Sequence, residues 1–310
     1  MTTLTQPAVS AAPRAGRSLW SDAVRRIRRD PVAMVCFGII AVYVLIAIVA
    51  PFAFGDWSNH YDYDNVNAHP SWSEPLGTDA LGRSIYQKTL LGAHVSMTVA
   101  FMANCIAVPV GMILGAIAGY YGKWIDDGIV WLYTTLASIP GLILLIALRF
   151  AFMDRKLFGG TPLQIDLDGM AGVYIALGVM SWIGTCRLVR AETMKIRELD
   201  YVLAARATGR GGIGILFRHV LPNVFHIGII QFSLGFVGAI SAEVMLSFLN
   251  LGVKDMPSWG KMINEARMDL VVGRWWEVTA AVVATFLIVL AWNIFGDRLR
   301  DALDPRLKTA

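Results

Sequence analysis

Three cysteines and five histidines are the residues of this chain most able to bind metal or attack a substrate. Metal ligands come as closely spaced pairs, and a nucleophilic thiol needs a base beside it. Cys36, Cys105 and Cys186 are scattered, and each falls within or at the end of an apolar run, where thiols serve as small core residues. His60 and His69 share a polar loop without ligand spacing, and His94 opens an apolar run. The run from Gly209 to Gly214 matches G-x-G-x-x-G, but a dinucleotide site needs a preceding strand and a βαβ unit. A helical pattern precedes it and an apolar run follows, so these glycines read as a turn. No G-x-x-x-x-G-K-[ST] phosphate loop occurs, so any nucleotide energy must be released on another polypeptide. No catalytic residue, metal ligand or cofactor of this chain's own is expected.

The most informative polar stretch is 201–223, reading YVLAARATGRGGIGILFRHVLPN. Ile213, Leu216, Phe217, Val220 and Leu221 fall at i, i+3, i+4, i+7 and i+8, the stripe of one helix face. Ala204 and Ala205 present a small-residue surface before it, and the glycines from Gly209 permit a reversal. Pro222 either stops the second helix or opens the next, because it has no amide proton. The pattern predicts a short helical hairpin suited to docking a soluble partner.

The surrounding elements fix the class. The chain has 310 residues, 56% hydrophobic and 16% charged, with mean hydropathy +0.55. Segments 33–54, 95–118, 128–148, 169–186, 224–242 and 278–296 contain no Asp, Glu, Lys or Arg. Crossing a bilayer takes about 17–25 apolar residues, so the chain reads as all-α with six transmembrane helices. Pro109 and Pro140 lie inside the second and third of these and should kink them.

Basic residues orient the spans. Arg14, Arg17, Arg25, Arg26, Arg28, Arg29, Lys123, Arg187, Arg190, Lys195, Arg197, Arg206, Arg210, Arg218, Arg298, Arg300, Arg306 and Lys308 fall on one side. They are 18 of the 27 Lys and Arg, and such a bias marks the cytoplasmic face. Both termini and the hairpin are therefore expected inside. The net charge of +4 reflects this topology, and no basic patch interleaved with aromatics suggests nucleic acid. The expected division is a cytoplasmic segment 1–32, a membrane domain 33–297 and a cytoplasmic tail 298–310. Within the membrane domain lie an outer loop 55–93 and a cytoplasmic loop 187–222. In the outer loop, Thr78 and Asp79 read as a helix cap before an amphipathic helix. Glu243 is the one carboxylate in the outer part of the fifth span. It reads either as a water-boundary residue or as part of an outer gate, paired with a group of a companion subunit.

The whole chain resembles the second permease subunit of bacterial ABC importers of the dipeptide, oligopeptide and nickel class. The cytoplasmic insert is similar to that superfamily's E-A-A-x3-G-x9-I-x-L-P signature through Ala204, Ala205, Gly209, Leu221 and Pro222. Leu203 stands where the signature has Glu, and His219 where it has Ile. EPLGTDALGRS, AGYYGKWIDD, SFLNLGV, PSWG and FGDRLRDALDPR also resemble the peptide class, over residues 20–308.

The resemblance implies a type I importer fold in a bacterial inner membrane. It implies a homologous permease as companion, two ATP-binding subunits carrying ATP and magnesium, and an extracytoplasmic substrate-binding protein. Leu203, Ala204, Ala205, Gly209, Leu216, Phe217, Leu221 and Pro222 would form the ATPase-coupling surface. The expected cargo is a di- or oligopeptide, with nickel or another small solute on the same architecture as the alternative. A secondary transporter would call for intramembrane charges, which the six uncharged segments lack, and a membrane enzyme for a catalytic constellation.

Overall fold

A computed structural model describes residues 19–55, 57, 61–157, 159–160 and 164–303, with side chains from residue 23. Arg14, Arg17, His60, Arg306 and Lys308 lie outside the described residues. The chain opens with α1 (Leu19–Arg29) and α2 (Pro31–Ala53). Between them Asp30 caps α2, its Oδ1 accepting from the amides of Val32 at 2.9 Å and Ala33 at 3.3 Å. Pro31 occupies the first turn, where no amide proton is needed.

The centre of the molecule is α3 (Ile85–Tyr121), about 55 Å long at 1.5 Å per residue. It packs along α6 (Met170–Ile196), and on its other sides against α2, α9 (Leu221–Phe248) and α11 (Trp276–Leu303). Gly111, Gly115 and Gly119 line its seam with α6. A Cβ on any of them would fall 2.5–2.7 Å from the backbone oxygens of Trp182, Cys186 and Arg190 respectively. With neither water nor a hydrophobic drive between spans, small residues that admit such close backbone contact supply the attraction. Phe236 stacks on Trp292 at 3.8 Å where α9 meets α11.

Five helices, including α2, α3, α6 and α11, are long and apolar enough to cross a membrane; the fifth runs Gly212–Phe248. The third expected span is not one straight helix. It breaks at 138–140 into α4 (Lys123–Ala137) and α5 (Gly141–Phe152), bent by 91°. Pro140 has no amide to continue the ladder, which explains the break there, whereas α3 continues through Pro109. A strand pair, β1 (Lys156–Leu157) and β2 (Ile165–Asp166), follows α5. Helices run beyond the expected spans: α3 starts within 55–93, α6 extends past 187, and α11 reaches Leu303.

The expected helix cap at Thr78 and Asp79 is also corrected. Ser84 holds the N-cap position of α3, and its hydroxyl donates to Glu74 at 2.5 Å. Asp79 instead closes a turn, accepting from the amides of Leu81 and Arg83, both at 2.9 Å.

Candidate functional site

The hairpin is built from α7 (Asp200–Ala207), α8 (Gly212–Ile215) and a π-helical turn (Leu216–Val220) that runs into α9. After α7 the chain reverses at Gly209, whose φ of +78° is costly for a residue with a Cβ. The amides of Gly209 and Arg210 return to the carbonyls of Arg206 and Ala205, satisfying the helix end. No atom stands within 4 Å of a Cβ built on Gly209, so backbone conformation alone demands glycine.

The wider π turn redistributes the expected stripe. Leu216 and Val220 turn inward with Ile215 onto Tyr120, Val189 and Ile196 of α3 and α6. Ile213 and Phe217 point out, 68% and 59% exposed. Leu216 is 3% exposed and packs in this core, so it lies off the exposed face expected for docking. Pro222 sits in the first turn of α9, so of its two readings it opens that helix. Leu203, Ala204, Gly209, Phe217 and Pro222 are exposed, and Ala205 and Leu221 are half-buried. Ile213 is exposed as well, Arg206, Arg210 and Arg218 are exposed in the same stretch, and 201–223 contains no carboxylate.

The hairpin is anchored firmly. Asn223 donates to Tyr201 at 3.0 Å, and Arg210 pairs with the His219 ring at 3.3 Å. Beneath it, Arg190 of α6 grips Asp126 of α4 through two bonds of 2.5 and 2.6 Å, and Arg197 donates to the Gly119 carbonyl at 3.0 Å. These bonds tie α6 to α3 and α4 beneath the hairpin.

Glu243 is enclosed by its own chain. It is 0% exposed, and its oxygens accept from Ser96 at 2.6 Å and Ser247 at 2.7 Å, with Ser258 adding a third hydroxyl. These hydroxyls come from α3, from α9 and from the turn that opens α10 (Trp259–Ala266).

Sequence reasoning passed over a second polar centre at the far end of α3. Lys88, 1% exposed, donates to Glu277 at 2.6 Å, Glu265 at 2.8 Å and Asp79 at 3.3 Å. Arg83 completes it, pairing with Asp79 at 2.8 Å and lying 4.1 Å over the Trp57 ring. A lysine four residues into an amphipathic helix start reads as solvated, and nothing near it in sequence signals otherwise. Burial alone would raise the Asp79 carboxyl, but the Lys88 charge and the Arg83 and amide bonds hold it below the usual value. Its stabilising contribution is therefore complete above the ordinary aspartate value of about 3.9 and is lost as pH falls below it. The thermal midpoint of Asp79→Asn should lie below wild type by a constant margin from about pH 8 to 5. That margin should vanish only below about pH 4.

Comparison with known proteins decides the family. Residues 111–309 match the family described as binding-protein-dependent transport system inner membrane component. This chain belongs to that family. Residues 18–70 match the N-terminal transmembrane domain of oligopeptide transport permease C. The permease is similar to the glutathione transport system permease protein GsiD of Pectobacterium atrosepticum, 36% identical over 94% of this chain and 93% of that one. The proteins of the same name from Escherichia coli and Shigella boydii are 35% and 36% identical, over 94% of this chain and 92% of theirs. It is thus a multi-pass inner-membrane permease of an ABC importer of the peptide class, with a type I fold.

Proposed function

We propose that this permease imports a small peptide of the size and charge of glutathione, and that hairpin 201–223 is the handle an ATPase subunit grips. The observation that carries this reading is the exposure of Leu203, Ile213 and Phe217, taken together as one apolar ridge, on a hairpin whose inner residues pack onto α3 and α6. An amphipathic helical face laid in a groove is a common recognition mode, and exposed apolar ridges on a polar loop call for such a cover. Closure of two ATPases would displace the ridge, and α3 and α6 would carry that displacement across the membrane. A homologous permease completes the path, a substrate-binding protein delivers the peptide outside, and both termini lie in the cytoplasm. The names of the relatives support the cargo, and the basic-residue bias supports the orientation.

The test uses the complete importer in vesicles, with glutathione as cargo. Phe217→Asp should cut peptide-stimulated ATP hydrolysis at least about tenfold while the complex still assembles, because the docked groove would bury an unpaired charge. In a Cys105→Ser background, Phe217→Cys should react with an impermeant thiol reagent from the cytoplasmic side only. Normal stimulated hydrolysis in the first variant would remove the docking role, and labelling of the second from outside would reverse the orientation.

A further inference from the structure

At the end of α9 opposite the hairpin, a cavity of about 260 Å³ is lined by Ser247, Asn250, Gly252, Val253, Lys254 and Lys261. Its polar groups are nearly all donors. Lys254 spends one proton on Asp168 at 2.8 Å, and Lys261 spends one on the Lys254 carbonyl at 3.1 Å. Each ammonium carries three protons, so two remain on each. The Asn250 carbonyl is taken by Asn264 at 3.0 Å, which leaves its amide protons for the cavity. The Ser247 hydroxyl donates away, to Glu243. Among the described residues Lys261 has no carboxylate within ion-pair distance, and Asp168 is the only one that Lys254 has.

The wall is built rather than fluid. Arg149, 1% exposed, donates to the carbonyls of Leu251 at 2.8 Å and Gly252 at 3.3 Å. It also holds the Leu167 carbonyl at 2.7 Å, with the Asp168 carbonyl bound beside it. The two lysines are thus presented on a rim fixed by a buried guanidinium, and one lysine has no counter-charge.

We infer that this cavity is a carboxylate-binding site, with Lys261 as its principal cation. An anion with two acceptor oxygens can accept one proton from each of Lys254, Lys261 and Asn250, and charge-assisted bonds of this kind are the strong ones. Its place, about 42 Å along α9 from the hairpin at 1.5 Å per residue, is where solute arrives if the hairpin faces the ATPase. The inference rests on the peptide-import reading. A peptide brings a terminal carboxylate, and a delivering protein brings acidic side chains; both share the chemistry.

The experiment compares wild type, Lys261→Ala and Lys261→Arg importers in nanodiscs. One arm measures capture of the substrate-binding protein without peptide, and the other measures uptake in vesicles of the tripeptide used above, at limiting concentration. Lys261→Ala should lower one of the two about tenfold, the loss expected for one charge-assisted bond, and Lys261→Arg should restore it. Loss of uptake with normal capture assigns the site to the peptide; loss of capture assigns it to the delivering protein. Both readouts unchanged in a normally assembled Lys261→Ala importer would overturn the site. A wild-type complex that imports no tripeptide would instead strike the import reading, and the capture arm would still judge the cavity.

Discussion

Lys88→Met is expected to lower the thermal midpoint of the detergent-solubilised permease by more than any surface substitution, or to prevent its accumulation. The change leaves the buried Glu277 without a cation and Asp79 with Arg83 alone, while Glu265, partly exposed, keeps access to water. Removing one partner of a buried ion pair costs about 3–5 kcal/mol, because the remaining charges cannot return to water. Lys88→Met combined with Glu277→Gln should recover part of the loss, since it removes one stranded carboxylate. A midpoint within a degree or so of wild type in the single variant would show that the cluster contributes nothing.

Gly115→Val should be nearly as damaging and should also silence the hairpin. Its Cβ would stand 2.5 Å from the Cys186 carbonyl and 3.0 Å from Val189 Cβ, so a helix backbone rather than a flexible side chain must yield. Overpacking of a tight seam costs about 1–3 kcal/mol, and more where backbone must move. Parting α3 from α6 also loosens the pair Tyr120 and Val189 on which Leu216 and Val220 rest. Both the thermal midpoint and peptide-stimulated ATP hydrolysis should therefore fall. Gly128→Val is the control, since no atom lies within 4 Å of its Cβ; equal behaviour of the two variants would refute the seam argument.

The spans were legible because bilayer crossing imposes long uncharged runs, and composition records those directly. The hairpin was legible through Gly209 and the apolar spacing after it. Its facing was not, because a helix of 3.6 residues per turn was assumed where Leu216–Val220 form a wider one. The elbow at Pro140 was visible as a kink but not as a near right angle, since a proline sets where a helix breaks and packing sets how far it bends. Lys88, Arg149 and Glu243 escaped for a different reason. Their partners sit at sequence separations of 189, 102 and 147 residues, and no local pattern reports contacts that long. Glu243 was noticed as a carboxylate, and Ser247 lies one turn on, but Ser96 and Ser258 meet it only in three dimensions.

The Lys88 cluster also sets an order of events during synthesis. A chain emerges from its N-terminus, so Lys88 and Asp79 leave the ribosome long before Glu265 and Glu277 exist. Until the last helix is threaded into the bilayer, a lysine destined for the interior must stay in contact with water or headgroups. The loop before α3 therefore cannot reach its final arrangement until α11 begins; Glu277, on arrival, locks it.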